Sequence, residues 1–304
     1  MARSASLRSW ECTYPKSGIG SRVMTPCRRW SRWTSATFLL TAPLSQPLGA
    51  VPDPSRLRAL SLRPLRKTGP LGPPRGWFFR LYWPITAWFV TNLTVTFLWV
   101  LFFVLNRTTV VGRKNVGTAR NTLLLSNHQS MLDSFLVGLG AFYPQSWWRP
   151  HLIPWNPAAA ENFYRTPILA WLADNWKCIW VRPGRRDLHA LHKMIEVLPA
   201  GVMTLFPEGT RTRDGSVGPG QAGPGLLILA TRARVIPVLI EGMRDVLPIG
   251  KAMPRVFKRI RVTYGKPVDY TEFLAGPRTR ETAQALMDKV MAAIRAQHAE
   301  LRRA

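Results

Sequence analysis

The stretch TLLLSNHQSMLD, residues 122–133, decides the fold. Leu123, Leu124 and Leu125 form a short apolar run bounded by Thr122 and Ser126. A run of this length reads as a strand buried on both faces, the kind a parallel sheet uses. Helical spacing follows over about Ser130–Ala141, so His128 falls in the turn between strand and helix. In open α/β sheets, ligands bind beyond the carboxyl ends of the strands. His128 and Asp133 are five apart, which on a continuous helix would set them about 140° apart and facing different ways. They can meet only if His128 lies in the turn and Asp133 in the first helical turn.

Outward from this stretch the same alternation repeats. Thr108–Val111, Cys178–Val181, Val202–Phe206, Val235–Ile240 and Ile260–Tyr264 read as strands. Pro237 lies inside the fourth of these and places it near an edge or a strand start. Leu188–Leu198, Gly225–Ala233 and Thr279–Arg302 read as helices, the last with Ala283, Leu286, Met287, Val290 and Ile294 on one face. The expected class is α/β, a mostly parallel central sheet flanked by helices, preceded by a hydrophobic membrane-associated helix.

That helix comes from residues 81–106, which carry no charge and are bracketed by Arg80 and Arg107. Their length exceeds the roughly 20 residues a bilayer core requires. Trp83, Trp88 and Trp99 suit an interfacial belt. Asn92 and four threonines dilute the apolar character, and spanning and one-leaflet arrangements both remain open. The domain plan is therefore a basic extension over 1–76, a membrane-associated segment over 77–107 and an α/β domain over 108–304.

The chain of 304 residues has a formal net charge of +26. Residues 1–80 hold 14 Lys and Arg against Glu11 and Asp53 alone, so about +12 sits there. Such an excess favours polyanions, either nucleic acid or an anionic lipid surface. Residues 1–76 show no persistent period and are expected to be disordered, or a spurious upstream extension. An Arg- and Ser-rich transit peptide is the second reading. Cys12, Cys27 and Cys178 have neither metal-ligand nor disulfide-framework spacing, which fits a reduced, cytosol-facing compartment. His151, His189 and His192 offer no metal-ligand set, so no metal is expected.

A second block, Leu205-Phe206-Pro207-Glu208-Gly209-Thr210-Arg211, also follows an apolar strand. Gly209 allows close backbone approach, and Arg211 offers a planar fork suited to phosphate. Glu208 could orient that arginine or hold an acceptor hydroxyl. A carboxylate on one imidazole nitrogen of His128 would leave the other free to take a proton from a hydroxyl.

The two blocks in this order resemble the glycerolipid acyltransferase superfamily, that of the 1-acylglycerol-3-phosphate acyltransferases. Its members pair an Asn-His-x4-Asp block with Phe-Pro-Glu-Gly-Thr-Arg. They also carry a strand ending in Arg, matched by Ile179–Arg182, and a late apolar-Pro block, matched by Val235–Val238. The resemblance covers roughly residues 107–270. It implies transfer of an acyl group from acyl-CoA or acyl-carrier protein, without an acyl-enzyme, to the hydroxyl of a lysophosphatidic acid-type glycerolipid in phospholipid biosynthesis. His128 would be the base and Asp133 its partner, while Arg182, Glu208, Gly209, Thr210 and Arg211 would bind the glycerol phosphate. No cofactor is implied beyond the acyl donor, and the expected partner is a membrane lipid, not nucleic acid. The expected site is a bacterial inner membrane with the catalytic centre facing the cytoplasm, or an organelle membrane if the extension is a transit peptide.

Residues 218–223, Gly-Pro-Gly-Gln-Ala-Gly, depart from the family's Phe-Lys-x-Gly stretch. Arg213, Arg232 and Arg234 are the candidates to replace the missing lysine. Another lysolipid acceptor, such as a lyso-ornithine lipid or a lysophospholipid, would need the same catalytic pair. A non-catalytic protein that binds anionic lipid or nucleic acid is the reading from a different class.

Overall fold

A computed structural model describes residues 76–159, 166–182 and 187–303. The expectations for the extension over 1–76 lie almost wholly outside the described residues. Five strands form the main sheet: β1 (Arg107–Val111), β2 (Thr122–Ser126), β5 (Val202–Leu205), β6 (Arg234–Glu241) and β7 (Arg259–Tyr264), in the order β1-β7-β6-β2-β5. The neighbours β1–β7, β6–β2 and β2–β5 are parallel, and only β6–β7 is antiparallel.

The inner strands β2 and β6 are buried along nearly their whole length because alternate residues feed two cores. Leu123, Leu125, Val235 and Leu239 point to one, Leu124, Ile236, Val238 and Ile240 to the other. The first core is closed by α5 (Ala222–Thr231) and α7 (Arg280–Arg303), the second by α2 (Asp133–Phe142). All five residues expected on the inner face of the last helix are fully buried. Gly225 lets α5 and α7 approach closely, since a Cβ there would stand 2.1 Å from the Ala283 carbonyl oxygen.

Pro237 corrects one expectation. Its strand, β6, is the centre of the sheet, not an edge. The antiparallel register with β7 begins at Val238, so Pro237 lies one residue outside it. Its carbonyl accepts from the Gly265 amide at 2.8 Å, and the missing N–H falls where that ladder ends.

A small parallel pair was not foreseen as a sheet: β3 (Asn156–Ala159) beside β4 (Cys178–Val181). It is stitched to β5 through Trp155, whose amide donates to Val202 O at 2.9 Å and whose carbonyl accepts from Thr204 N at 3.0 Å. The sequence Asn-Pro-Ala-Ala has no strand propensity of its own. Tertiary pairing alone makes it a strand.

The apolar segment forms α1 (Trp77–Trp99) and continues as a π turn over Val100–Val104. Residues 81–104 are long and apolar enough to cross a membrane, by length and composition. One face nonetheless packs on the α/β domain. Trp83 is buried, stacks on Trp155 and donates to Asp174 O at 3.0 Å. Trp88 donates to Trp147 O, and Trp99 stacks on Phe103 and Tyr143. For Trp83 and Trp88 the expected belt is thus replaced by contacts to the domain, because their indole N–H groups find carbonyls there, while Trp99 stays partly exposed. Of the polar residues that dilute the segment, Thr86, Thr94 and Thr96 donate to carbonyls of α1 itself, while Thr91 and Asn92 bond to the domain. Thr91 donates to Asn175 O at 2.9 Å, and Asn92 Oδ1 accepts from Ser146 Oγ at 2.7 Å. Leu81, Ile85, Phe89, Leu93 and Phe97 form an exposed stripe on the other face, one turn apart.

Candidate active site

β2 ends at Ser126, and the chain turns through Asn127 and His128 into α2, whose first residue is Asp133. This is the geometry in which a pair five apart can meet. His128 Nδ1 lies 2.9 Å from Asp133 Oδ2. The same oxygen accepts from the amides of Gln129 at 2.6 Å and Ser130 at 2.8 Å. Asp133 is fully buried and its imidazole partner is partly open to solvent. An oxygen already accepting two amides makes Nδ1 the donor to it and leaves Nε2 with a free lone pair.

Two contacts that the sequence did not announce hold this turn. Asn127 is buried, donates through Nδ2 to Ile240 O at 2.9 Å and accepts at Oδ1 from Ile240 N at 2.8 Å. It extends the β2–β6 ladder with a side chain. The Phe206 ring stacks on the imidazole with centroids 4.0 Å apart. Both residues sit inside the quoted blocks, so adjacency to the titratable residues was the available signal.

The second block reaches the first through the sheet. Leu125 and Leu205 are register partners in the parallel β2–β5 pair. His128 and Glu208 each lie three residues beyond their leucine, so Glu208 comes level with His128. The Thr212 amide and hydroxyl both donate to the His128 carbonyl, at 2.9 and 3.2 Å. Gly209 has φ 72°, a left-handed turn that glycine enters without penalty.

Glu208 is buried, and neither carboxyl oxygen has a hydrogen-bond partner. It makes no ion pair with Arg211, so of the two roles considered for it, orienting that arginine has no support. Burial pushes its carboxyl up to about 7. The amides of His128 and Gly218, close but out of hydrogen-bonding geometry, pull the other way, and the charges of Asp133 and Asp214 add to the rise. Thr210 is exposed and Arg211 half-exposed beside it, with no ion pair among the described residues.

Arg182 follows β4 at the same, carboxyl end of the strands. Its guanidinium lies 5.4 Å from the centre of the Trp180 ring, and its amide donates to Asp187 Oδ2 at 3.1 Å. It makes no hydrogen bond to either block. Arg232 and Arg234 belong to the opposite end. Arg234 is the register partner of Thr122 at the start of β2, and its guanidinium donates to Asn115 O and Val116 O. Neither can replace the lysine missing from residues 218–223. Arg213, exposed two residues beyond Arg211, keeps that place. Cys178 is no candidate nucleophile, since burial pushes its thiol up to about 12, with the Asp174 charge adding to the rise.

Residues 107–241 match the protein family described as Acyltransferase. The chain is 25% identical over 167 residues to 1-acyl-sn-glycerol-3-phosphate acyltransferase BAT2, chloroplastic, of Brassica napus, covering 53% of this chain and 45% of that protein. It is 24% identical over 164 residues to 1-acyl-sn-glycerol-3-phosphate acyltransferase LPAT1, chloroplastic, of Arabidopsis thaliana, covering 52% and 43%. The matched part thus spans less than half the length of these two curated relatives. Among solved structures, the 1-acyl-sn-glycerophosphate (LPA) acyltransferase PlsC from Thermotoga maritima aligns with a TM-score of 0.49 and 23% identity, over 69% of this chain and 78% of that one.

Proposed function

We propose, for a chain that belongs to the glycerolipid acyltransferase superfamily, that it is an O-acyltransferase acting on a lysophosphatidic acid-type glycerolipid. The observation that carries this is the His128–Asp133 pair, with Asp133 Oδ2 held by two amides and the imidazole turned outward beneath Phe206.

The acceptor hydroxyl gives its proton to His128 Nε2 as its oxygen attacks the thioester carbonyl carbon of acyl-CoA or acyl-carrier protein. Asp133 holds the ring tautomer and stabilises the imidazolium that forms. As the carbon–sulfur bond breaks, the thiolate leaves and the imidazolium returns the proton to it. The ester is then complete, and the imidazole is neutral again. No residue is acylated. Arg211, with Gly209 and Thr210, binds the acceptor phosphate as a planar fork over a backbone turn, and Arg182 adds charge at the same end of the sheet. Glu208, buried beside His128 without a partner, accepts from or donates to the glycerol hydroxyl.

The exposed stripe of α1 supports membrane association. The opposite face of α1 is hydrogen-bonded to the domain from Trp83 to Thr94. A perpendicular span would draw that domain into hydrocarbon, where its polar surface is costly. We therefore place α1 along one leaflet, its stripe in the acyl region and the catalytic turn near the headgroups. The basic domain favours the cytoplasmic face of a bacterial inner membrane, or the corresponding organelle face if the extension is a transit peptide.

The test is a donor and acceptor panel on purified protein in detergent, read by mass spectrometry. Acylation of lysophosphatidic acid supports the proposal. Acylation only of an acceptor without phosphate, such as a lyso-ornithine lipid, keeps the His128 chemistry and removes the phosphate assignment.

A further inference from the structure

The loop between Val246 and β7, residues 247–258, has no place in the chemistry above, yet its side chains are arranged as a surface. Phe257 is 83% exposed and Met253 80% exposed, with Ile249 also open to solvent. Between them lie Lys251 and Arg255, and Lys258 and Arg259 follow. No acidic residue occurs from 246 to 268. None of the four cations takes part in an ion pair among the described residues. Phe257 has φ 62°. A bulky residue in the left-handed region costs about 1 kcal/mol. The residue that carries this cost is an aromatic whose ring stands in water.

The loop is fastened to the end of the membrane-facing helix. The Phe257 amide donates to Leu105 O at 2.8 Å. Buried Asn106 accepts at Oδ1 from the Lys258 amide at 2.8 Å, and its Nδ2 donates to Leu101 O at 2.9 Å and Arg255 O at 3.3 Å. Val100, Val104 and Leu105, exposed at the end of the α1 stripe, border this junction. The apolar side chains of the loop therefore continue the stripe, and the cations supply what the uncharged stripe lacks.

We propose that residues 249–259 form a second membrane contact, in which Phe257 and Met253 enter the leaflet beside the end of α1 while Lys251, Arg255, Lys258 and Arg259 meet anionic headgroups. This rests on the membrane reading of α1. It gives the protein two points of attachment, and two points fix the orientation of the catalytic turn toward the bilayer where one helix would leave it free to roll. Continuity with the stripe and the unpaired positive charge favour an anionic lipid surface over a second copy of this chain, which would bring the same four cations together.

The full chain is tested by flotation with phosphatidylcholine vesicles, with and without phosphatidylglycerol. The double variant Met253→Gln, Phe257→Asn keeps a residue that tolerates the left-handed backbone. It should lower the partition coefficient on both vesicle types by about tenfold or more, as expected for withdrawing a buried aromatic. Lys251→Gln, Arg255→Gln, Arg259→Gln together should weaken binding only to phosphatidylglycerol vesicles, by about fivefold per cation at low salt. Acyl transfer in detergent micelles should stay at the parent level in both, which separates lost docking from lost folding. Unchanged partitioning of both loop variants overturns the proposal. So does a change in sedimentation without a change in flotation, which would assign the loop to self-association. A stripe variant, Leu93→Gln, Phe97→Gln, distinguishes the levels. If it loses binding while the loop variants do not, only the loop proposal fails; if none loses binding, the reading of α1 fails.

Discussion

Leu125 and Leu205 are register partners in the parallel pair β2–β5, and three residues beyond each stand His128 and Glu208. The separation of 80 residues between the two blocks is the same as the register offset. Two turns far apart in sequence thus leave the sheet at the same level. The His128 carbonyl then takes both hydrogen bonds from Thr212.

His128→Ala should lower acyl transfer by about 10²–10⁴-fold, the contribution of a positioned base. The ring is partly open to solvent and packs chiefly on Phe206, so thermal stability should stay close to that of the parent. Asp133→Asn should lose comparable activity and about 1–3 kcal/mol of stability, because the buried amides of Gln129 and Ser130 lose a charged acceptor. Steady-state transfer from labelled acyl donor, with denaturant melts, checks both; full activity in His128→Ala would sink the mechanism.

Arg211→Ala should behave otherwise. It should raise the apparent KM for a phosphate-bearing acceptor by about tenfold or more with a smaller change in kcat, as loss of uniform binding does. An acceptor without phosphate should be nearly indifferent to it. Equal effects on both acceptors would take Arg211 out of phosphate recognition.

Glu208 imposes a pH dependence on stability. Its carboxyl lies near 4.5 when unfolded and is pushed up to about 7 in the fold. The folded state therefore holds the proton more tightly, and stability falls as pH rises from 4.5 through 7. Glu208→Gln removes the buried charge. It should be more stable than the parent by roughly 1 kcal/mol at pH 8, after allowance for solvent screening, with no gain below about pH 4.5. Urea titrations at the two pH values measure this, and a gain that is the same at both would contradict it.

Asn127→Ala should cost about 2–4 kcal/mol, since the Ile240 amide and carbonyl both lose buried partners. Activity should fall with it, because the turn that carries His128 loses its anchor. A variant with lost activity and unchanged stability would point instead to direct contact between Asn127 and substrate.

Trp83→Ala should destabilise the α/β domain by about 3 kcal/mol. The indole is buried against Trp155 inside the first core, so α1 is a structural part of the domain and not a detachable anchor. Melts of the variant in detergent check this; an unchanged midpoint would make α1 a separate element.

What the sequence determined by itself was local. The three leucines before Ser126, the β-branched run at Ile260–Tyr264 and the spaced apolar residues from Ala283 to Ile294 identify their elements, because strand and helix periods are written in neighbouring residues. The two blocks could likewise be found because each is contiguous. Tertiary structure decided the rest. Pro237 sits in a central strand because its missing donor falls just outside the β7 register. Residues 156–159 are a strand because β4 pairs with them and the preceding Trp155 pairs with Met203 of β5. Trp83 and Trp88 of α1 face the domain because carbonyls of Asp174 and Trp147 lie within reach. Arg234 leaves the site because register puts it level with Thr122, at the wrong end of the sheet. Each of these depends on which distant segment lies alongside. That is set by burying both faces of one sheet at once, and no local period in the chain encodes it.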